Sequence, residues 1–202
     1  MSHKFLIGID EAGRGPVAGP VSVAAFCVPM RLRKRLSRMF PGGLVRDSKK
    51  LTAAMREKVF RSIRSEKIRQ GISYAVAFST ADVIDREGIV FAIKKALAEA
   101  IGTIGVPAKE CLVLLDGSLK APKEYVFQRT VIKGDEKEAV IALASVVAKV
   151  SRDKRMAALA RKYPEYDFDR HKGYGTRLHY RKIEKHGLSK IHRRSFLKNV
   201  LK

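Results

Sequence analysis

FLIGIDEAGRGPVAGPVSVAAFCV (residues 5–28) sets the plan of the chain. Phe5–Asp10 is a short apolar run that closes on acid and glycine, the pattern of a strand that ends in a turn. Residues 13–20, GRGPVAGP, hold three Gly and two Pro, so the backbone must turn there. Val21–Val28 is a second apolar strand, ended by Pro29. Two strands joined by a glycine-rich turn, with Asp10 and Glu11 at the exit of the first, predict a sheet with carboxylates at its edge.

Outward from this stretch, strands and helices mix. Arg31–Met39 reads as a short basic helix and PGG (41–43) as a break. Thr52 is an N-cap for a helix over 53–65, with Met55, Val59, Phe60 and Ile63 at helical spacing. Ile72–Phe78 alternates as a strand, STAD (79–82) opens a helix, and residues 88–104 form a longer one. Cys111–Leu115 is a fully apolar strand ending at Asp116-Gly117, and Tyr125–Ile132 a strand ending at KGD (133–135). Residues 136–162 read as one long helix with an alanine face, stopped before Pro164, and a last basic helix starts near Thr176. The expected class is α/β, layers of helices around one sheet.

The 202 residues carry 42 Lys+Arg against 20 Asp+Glu, a formal charge of +22. Residues 31–69 hold 14 basic and 3 acidic residues and residues 152–202 hold 16 and 5, while the rest is balanced. Two basic blocks on a neutral body predict a polyanion lying across the surface, most simply nucleic acid. No apolar stretch approaches the ~20 residues of a membrane span, and Met1–Lys4 with FLIGI is too short for a secretory signal. Cys27 and Cys111 sit in apolar runs as buried thiols, which fits a reducing cytoplasm.

Three strand-like runs end in acid: Asp10 with Glu11, Asp116, and Asp135. A lone acid there commonly caps the next turn. Several in one α/β chain can gather at a common sheet edge, where ligands bind. Carboxylates brought together repel, and a hard divalent cation with oxygen ligands, Mg²⁺ or Mn²⁺, is their natural partner. The five His are scattered, and zinc-spaced Cys/His clusters, a phosphate-binding GxxxxGK[ST] loop and a GxSxG elbow are missing from the sequence. Carboxylates on metal beside basic surfaces describe two-metal phosphodiester cleavage.

Further pieces face a nucleic acid. Gly13-Arg14-Gly15 leaves backbone N–H groups uncovered beside a phosphate-matching guanidinium. Asp47-Ser48-Lys49-Lys50 sets a hydroxyl and two ammonium groups before a helix. HKGYGT (171–176) places Tyr174 between glycines, either stacking on a sugar or base or folded into the core. HRRSF (192–196) either binds phosphate or anchors the C-terminus through Phe196.

Together these pieces resemble the ribonuclease HII family: IDEAGRGPVAGPV (9–21), DSKKL (47–51), LLDG (114–117), KGD (133–135), IALASVVAKVSRD (141–153), HKGYGT (171–176) and HRRSF (192–196), in order and over nearly the whole chain. The resemblance implies a ribonuclease H-like fold, a central mixed sheet flanked by helices, in one domain over residues 1–202 whose C-terminal part, from about 165, is basic and helical. It implies an endonuclease that hydrolyses the RNA strand of RNA–DNA hybrids. It also implies cutting 5′ of single ribonucleotides in duplex DNA, with 3′-hydroxyl and 5′-phosphate ends. The family's four acids fall on Asp10, Glu11, Asp116 and Asp135, as both catalytic and metal-binding residues; Asp153, inside the long helix, is expected to pair with Lys or Arg instead. Gly13, Arg14 and Gly15 would read the 2′-hydroxyl and backbone at the RNA-to-DNA junction, Tyr174 would stack on the deoxyribose beyond it, and Ser48 and Lys49 would contact phosphate. A first strand beginning at residue 5 favours this type over its sister type HIII, which carries an extra N-terminal domain. The expected partners are RNA–DNA hybrid and ribonucleotide-containing duplex DNA, with no membrane, and the expected state is a monomer. The rival from another class is a non-catalytic basic RNA-binding protein.

Overall fold

A computed structural model describes residues 3–41 and 51–198. Its centre is a five-stranded sheet in the order β3-β2-β1-β4-β5. The strands are β1 (Phe5–Ala12), β2 (Val21–Pro29), β3 (Ser73–Ser79), β4 (Cys111–Asp116) and β5 (Gln128–Val131). The first three form an antiparallel meander, while β4 runs parallel to β1 and β5 parallel to β4. The mixed sheet that the family resemblance implies is therefore present.

Alternation along β1 divides the core. Leu6 faces one layer with Phe26, Val59, Ile63 and Leu114, under α1 (Ala53–Gln70) and α4 (Ala139–Lys162). Ile7 and Ile9 face the other with Val113, Leu115, Ile93 and Leu97, under α3 (Ile89–Ile104), which α2 (Ala81–Glu87) precedes. Helix α4 lies close on β1 because Gly8 has no side chain: a Cβ there would stand 2.2 Å from the Val140 carbonyl oxygen. The alanine face of α4, with Ala142, Ala144 and Ala148 fully buried, serves the same close approach.

Threonine caps open three helices: the hydroxyls of Thr52, Thr80 and Thr176 accept from the N–H groups of Met55, Val83 and His179. The third opens α5 (Arg177–His186) in the C-terminal part. A separate apolar cluster beside it holds Ala18, Met156, Tyr166 and Phe168.

The structure departs from the sequence reading in three places. The strand expected over 125–132 is only Gln128–Val131. Tyr125 turns into the core and donates its hydroxyl to the Ile101 carbonyl at 3.4 Å, and the Gln128 side chain bonds the backbone of Ala121 and Tyr125, which folds the segment before β5 into a turn. The helix expected over 136–162 is two, Gly134–Lys137 and α4, separated by extended Glu138 (φ −122°, ψ 115°). The basic segment 31–39 is a 3₁₀ turn followed by one turn of α-helix.

Candidate active site

Parallel register places the first carboxylates. Ile9 pairs with Leu115, so the next residues set Asp116, the last residue of β4, beside Asp10, which lies two residues before the end of β1 and still pairs with Ala24 of β2. Asp10 is 6% exposed, and its Oδ1 accepts the Glu11 N–H at 2.8 Å. Burial raises the Asp10 carboxyl well above its ordinary range against a Ser145 hydrogen bond, and the negative neighbours Glu11 and Asp116 push it the same way. Glu11 is raised by burial as well, eased by Arg14, whose Nη1 stands 3.6 Å from Oε1, and pushed up by Asp116.

Asp116 reaches forward to the KGD turn, where its Oδ1 accepts the Gly134 N–H at 2.6 Å. That approach needs glycine, because a Cβ at 134 would stand 2.6 Å from Ile141 Cδ1 and 3.3 Å from the same carboxylate oxygen. Lys133 takes a left-handed conformation (φ 54°) to enter the turn. Asp135 follows Gly134 in the first turn of a short helix, 1% exposed, and so does not stand at a strand end as the sequence suggested. Asp153 pairs with Lys149 at 2.8 Å on α4. The structure thus brings Asp10, Glu11 and Asp116 into electrostatic contact and ties the Asp135 turn to Asp116 through one amide.

Among the described residues, no three His, Cys, Asp or Glu side chains form a ready metal-holding group. The donor set nevertheless fits a hard divalent cation, because it is all carboxylate oxygen under mutual repulsion. Mg²⁺ is commonly held by one or two carboxylates, with substrate phosphate and water completing the shell.

Beside the acids, two loops are fastened together. The N–H groups of Val17 and Ala18 both donate to the Gly173 carbonyl, at 2.9 and 3.2 Å. Gly173 (φ +83°) lies so close that a Cβ would meet the Ala18 oxygen at 2.3 Å, and a Cβ on Gly13 (φ +90°) would meet Arg152 Nε at 1.9 Å. Around Gly15 there is open space. Tyr174 is 43% exposed, its ring centroid 5.8 Å from Lys149 Nζ and 5.9 Å from the Arg152 guanidinium. Of the two readings of this tyrosine, the structure takes the surface one.

Sequence reasoning missed what lies beneath. Arg152 and Arg193 are fully buried. Arg152 donates to the carbonyls of Pro20, Ala18 and Lys172, and Arg193 to those of Gly19, Arg14 and Gly13. Burial and the nearby Arg152 charge bring Arg193 down to about 9, so it stays protonated at neutral pH. Neither reading of HRRSF foresaw this: Arg193 is turned inward onto the 13–19 loop, while Phe196 packs partly buried against the core. Asp85 holds the same segment, its carboxylate accepting the N–H groups of Arg194 and Ser195 at 2.8 and 2.9 Å. Both arginines stood inside quoted motifs, but nothing local marks them as inward. Ser48 and Lys49 lie outside the described residues.

Three histidines complete the loop's support. The Nδ1 of His179 stands 2.8 Å from the Tyr174 carbonyl, His179 and His192 meet Nε2 to Nε2 at 3.0 Å, and His192 Nδ1 accepts the Ser189 N–H at 2.9 Å. His171 stacks on His179 at 4.2 Å. One neutral tautomer of each satisfies this chain: His179 donates from Nδ1 to Tyr174, and His192 donates from Nε2 to His179.

Carboxylates from adjacent strands, on a basic body with an all-oxygen donor set, suit a metal-dependent nuclease. The family model for Ribonuclease HII matches residues 7–199. A Ribonuclease HII of Caldicellulosiruptor bescii is 46% identical over 98% of this chain and 89% of its own length, and that of Desulfitobacterium hafniense is 44% identical over 96% and 69%. Among solved structures, the RNase HII in a PCNA complex from Archaeoglobus fulgidus superposes with a TM-score of 0.71 at 25% identity, over 94% of this chain and 93% of that one. The fold is shared also with Bst-RNase HIII in complex with Mn²⁺ (TM-score 0.71, 18% identity, 99% and 70% covered). The chain belongs to the ribonuclease HII family and is a ribonuclease H, an endonuclease acting on RNA-containing nucleic acid with a divalent metal.

Proposed function

We propose that the protein cuts the RNA strand of RNA–DNA hybrids and cuts 5′ of single ribonucleotides embedded in duplex DNA, leaving 3′-hydroxyl and 5′-phosphate ends. The observation that carries the reading is the register that sets Asp10 beside Asp116, with Asp116 bonded to the Asp135 turn. Asp10, Glu11, Asp116 and Asp135 are the catalytic and metal-binding residues. Two divalent ions, Mg²⁺ or Mn²⁺, would supply an activated water and a Lewis acid for the leaving oxygen.

The chain's own groups do the rest. Arg14, with a half-exposed side chain only loosely paired to Glu11, turns onto a phosphate oxygen when substrate arrives. The uncovered backbone of Gly13–Gly15 lets the ribose and its 2′-hydroxyl come close. Tyr174 offers its ring to the deoxyribose beyond the junction, with Lys149 near the phosphate path. A cleft of about 600 Å³ runs from Arg14 along α3, with Lys94, Ser118 and Lys120 at its polar side and an apolar floor that includes Val90, Ile93 and Leu97. Ser48 and Lys49 would add phosphate contacts. The protein is proposed to act as a monomer in the cytoplasm; among the described residues no helix is long and apolar enough to cross a membrane.

The test is cleavage of a DNA duplex with one embedded ribonucleotide, labelled on that strand, with Mg²⁺, Mn²⁺ or chelator. A metal-dependent cut 5′ of the ribonucleotide is expected. Cutting of long hybrids alone would remove the junction reading, and tight binding without any cutting would favour a non-catalytic RNA-binding protein.

A further inference from the structure

We infer that Arg193 is a positioning residue for junction recognition: its buried guanidinium presets the Gly13–Arg14–Gly15 turn before any nucleic acid binds. The inference rests on the proposal that this turn touches the ribonucleotide.

The geometry is a fork closed on carbonyls. Nη2 donates to the Gly13 oxygen at 2.7 Å, Nη1 to the Arg14 oxygen at 2.9 Å, and Nε to the Gly19 oxygen at 2.9 Å. Every carbonyl it takes belongs to the turn or its return. With Gly13 and Arg14 oxygens drawn inward, the opposite side of those peptides is left to face outward around the open position of Gly15. The Arg193 N–H adds no freedom, since it donates to the Val17 carbonyl at 2.8 Å in the same loop.

A glycine-rich segment in the free chain samples many conformations, and selecting one costs binding free energy. A planar fork of fixed geometry removes that cost at folding, and only arginine has one; lysine keeps the charge but can point at one or two carbonyls at most. Helix α2 holds the arginine in turn, because Asp85 grips the N–H groups of Arg194 and Ser195 and the Ser195 hydroxyl at 2.5 Å. Substrate recognition in residues 13–15 is thereby set by residues about 180 positions away in sequence.

The experiment compares single-turnover cutting at one embedded ribonucleotide with cutting of a long hybrid, for the full chain and the variants Arg193→Lys, Arg14→Ala, their double and Asp85→Asn, each with its melting curve. Arg193→Lys is expected to lower the embedded-to-hybrid ratio about tenfold, and adding Arg14→Ala to it should lower the ratio less than the product of the two single effects, since both act through one turn. Asp85→Asn, at a half-buried surface position, should shift the ratio in the same direction by about threefold and decides the matter if Arg193→Lys does not fold. If Arg14→Ala lowers the ratio while Arg193→Lys, or Asp85→Asn in its place, leaves it unchanged or slows both substrates equally, Arg193 is a structural anchor and the inference is overturned. If Arg14→Ala itself leaves the ratio unchanged, the junction role of the turn falls, and this inference with it.

Discussion

The acids of this protein and the two loops beside them are held by different means. Asp10 and Asp116 are fixed by strand register, and one amide, that of Gly134, links Asp116 to the turn that carries Asp135. The loops at 13–20 and 171–175 have almost no ladder of their own. They depend on the side chains of Arg152 and Arg193, six hydrogen bonds to carbonyls in all, and on histidines that end at the Tyr174 carbonyl. A sheet positions its residues wherever the strands pair, so the chemistry tolerates change in neighbouring side chains. A loop positioned by buried cations is sensitive to single substitutions far away in sequence.

The comparison breaks most sharply at the acids. Asp10→Asn or Asp116→Asn should reduce cleavage by about 10³-fold or more while hybrid binding survives, because these groups are proposed to hold metal and not duplex; measured turnover near that of the parent would remove them from the centre. Next comes the loop junction. Gly173→Ala forces a Cβ against the Ala18 oxygen at a left-handed position and should cost about 2–4 kcal/mol in denaturant unfolding, whereas an unchanged midpoint would show that the loops are not so tightly joined.

Tyr174→Ala removes a surface ring and should leave stability nearly intact. Cutting at an embedded ribonucleotide should fall about tenfold more than cutting of hybrid, and equal losses would contradict the junction role. The histidine chain makes the loop region acid-sensitive. Burial lowers His179 and His192 to about 4 from an ordinary 6.5, so the unfolded chain takes up protons first as pH falls. Their contribution is whole above pH 6.5 and is lost as pH falls from 6.5 toward 4, which should lower the melting temperature by about 5 °C or more between pH 7 and 5. The raised Asp10 carboxyl acts in the opposite sense, so the comparison is with His179→Gln: a parent whose melting temperature falls no more steeply than the variant's would mean the pair is not buried neutral. The smallest effect is expected from Asp153→Asn, which breaks one partly exposed pair with Lys149 and should change cleavage by less than about threefold. A large loss would make Asp153, not Asp135, the fourth acid.

Much of this was legible from local signals. The first two strands, the strand ending at Asp116 and the threonine-capped helices follow from apolar period and cap chemistry, whereas the close packing at glycines 13, 134 and 173 depends on what faces them in the fold. What stayed hidden depends on partners distant in the chain. Arg152 and Arg193 count toward +22 like any surface cation, and only the facing carbonyls of residues 13–20 make them inward. The three histidines looked scattered because 171, 179 and 192 meet only after α5 folds back. Asp135 looked like a strand end because KGD follows apolar residues, but β5 stops at Val131 and left-handed Lys133 starts a helical turn instead.

The most direct measurement is the anomalous signal of Mn²⁺ in crystals of the protein bound to an uncleaved hybrid. The account predicts an ion contacted by carboxylate oxygens of both Asp10 and Asp116 and by an oxygen of the scissile phosphate. Manganese found only elsewhere on the chain, with Asp10 and Asp116 away from it, would contradict the account.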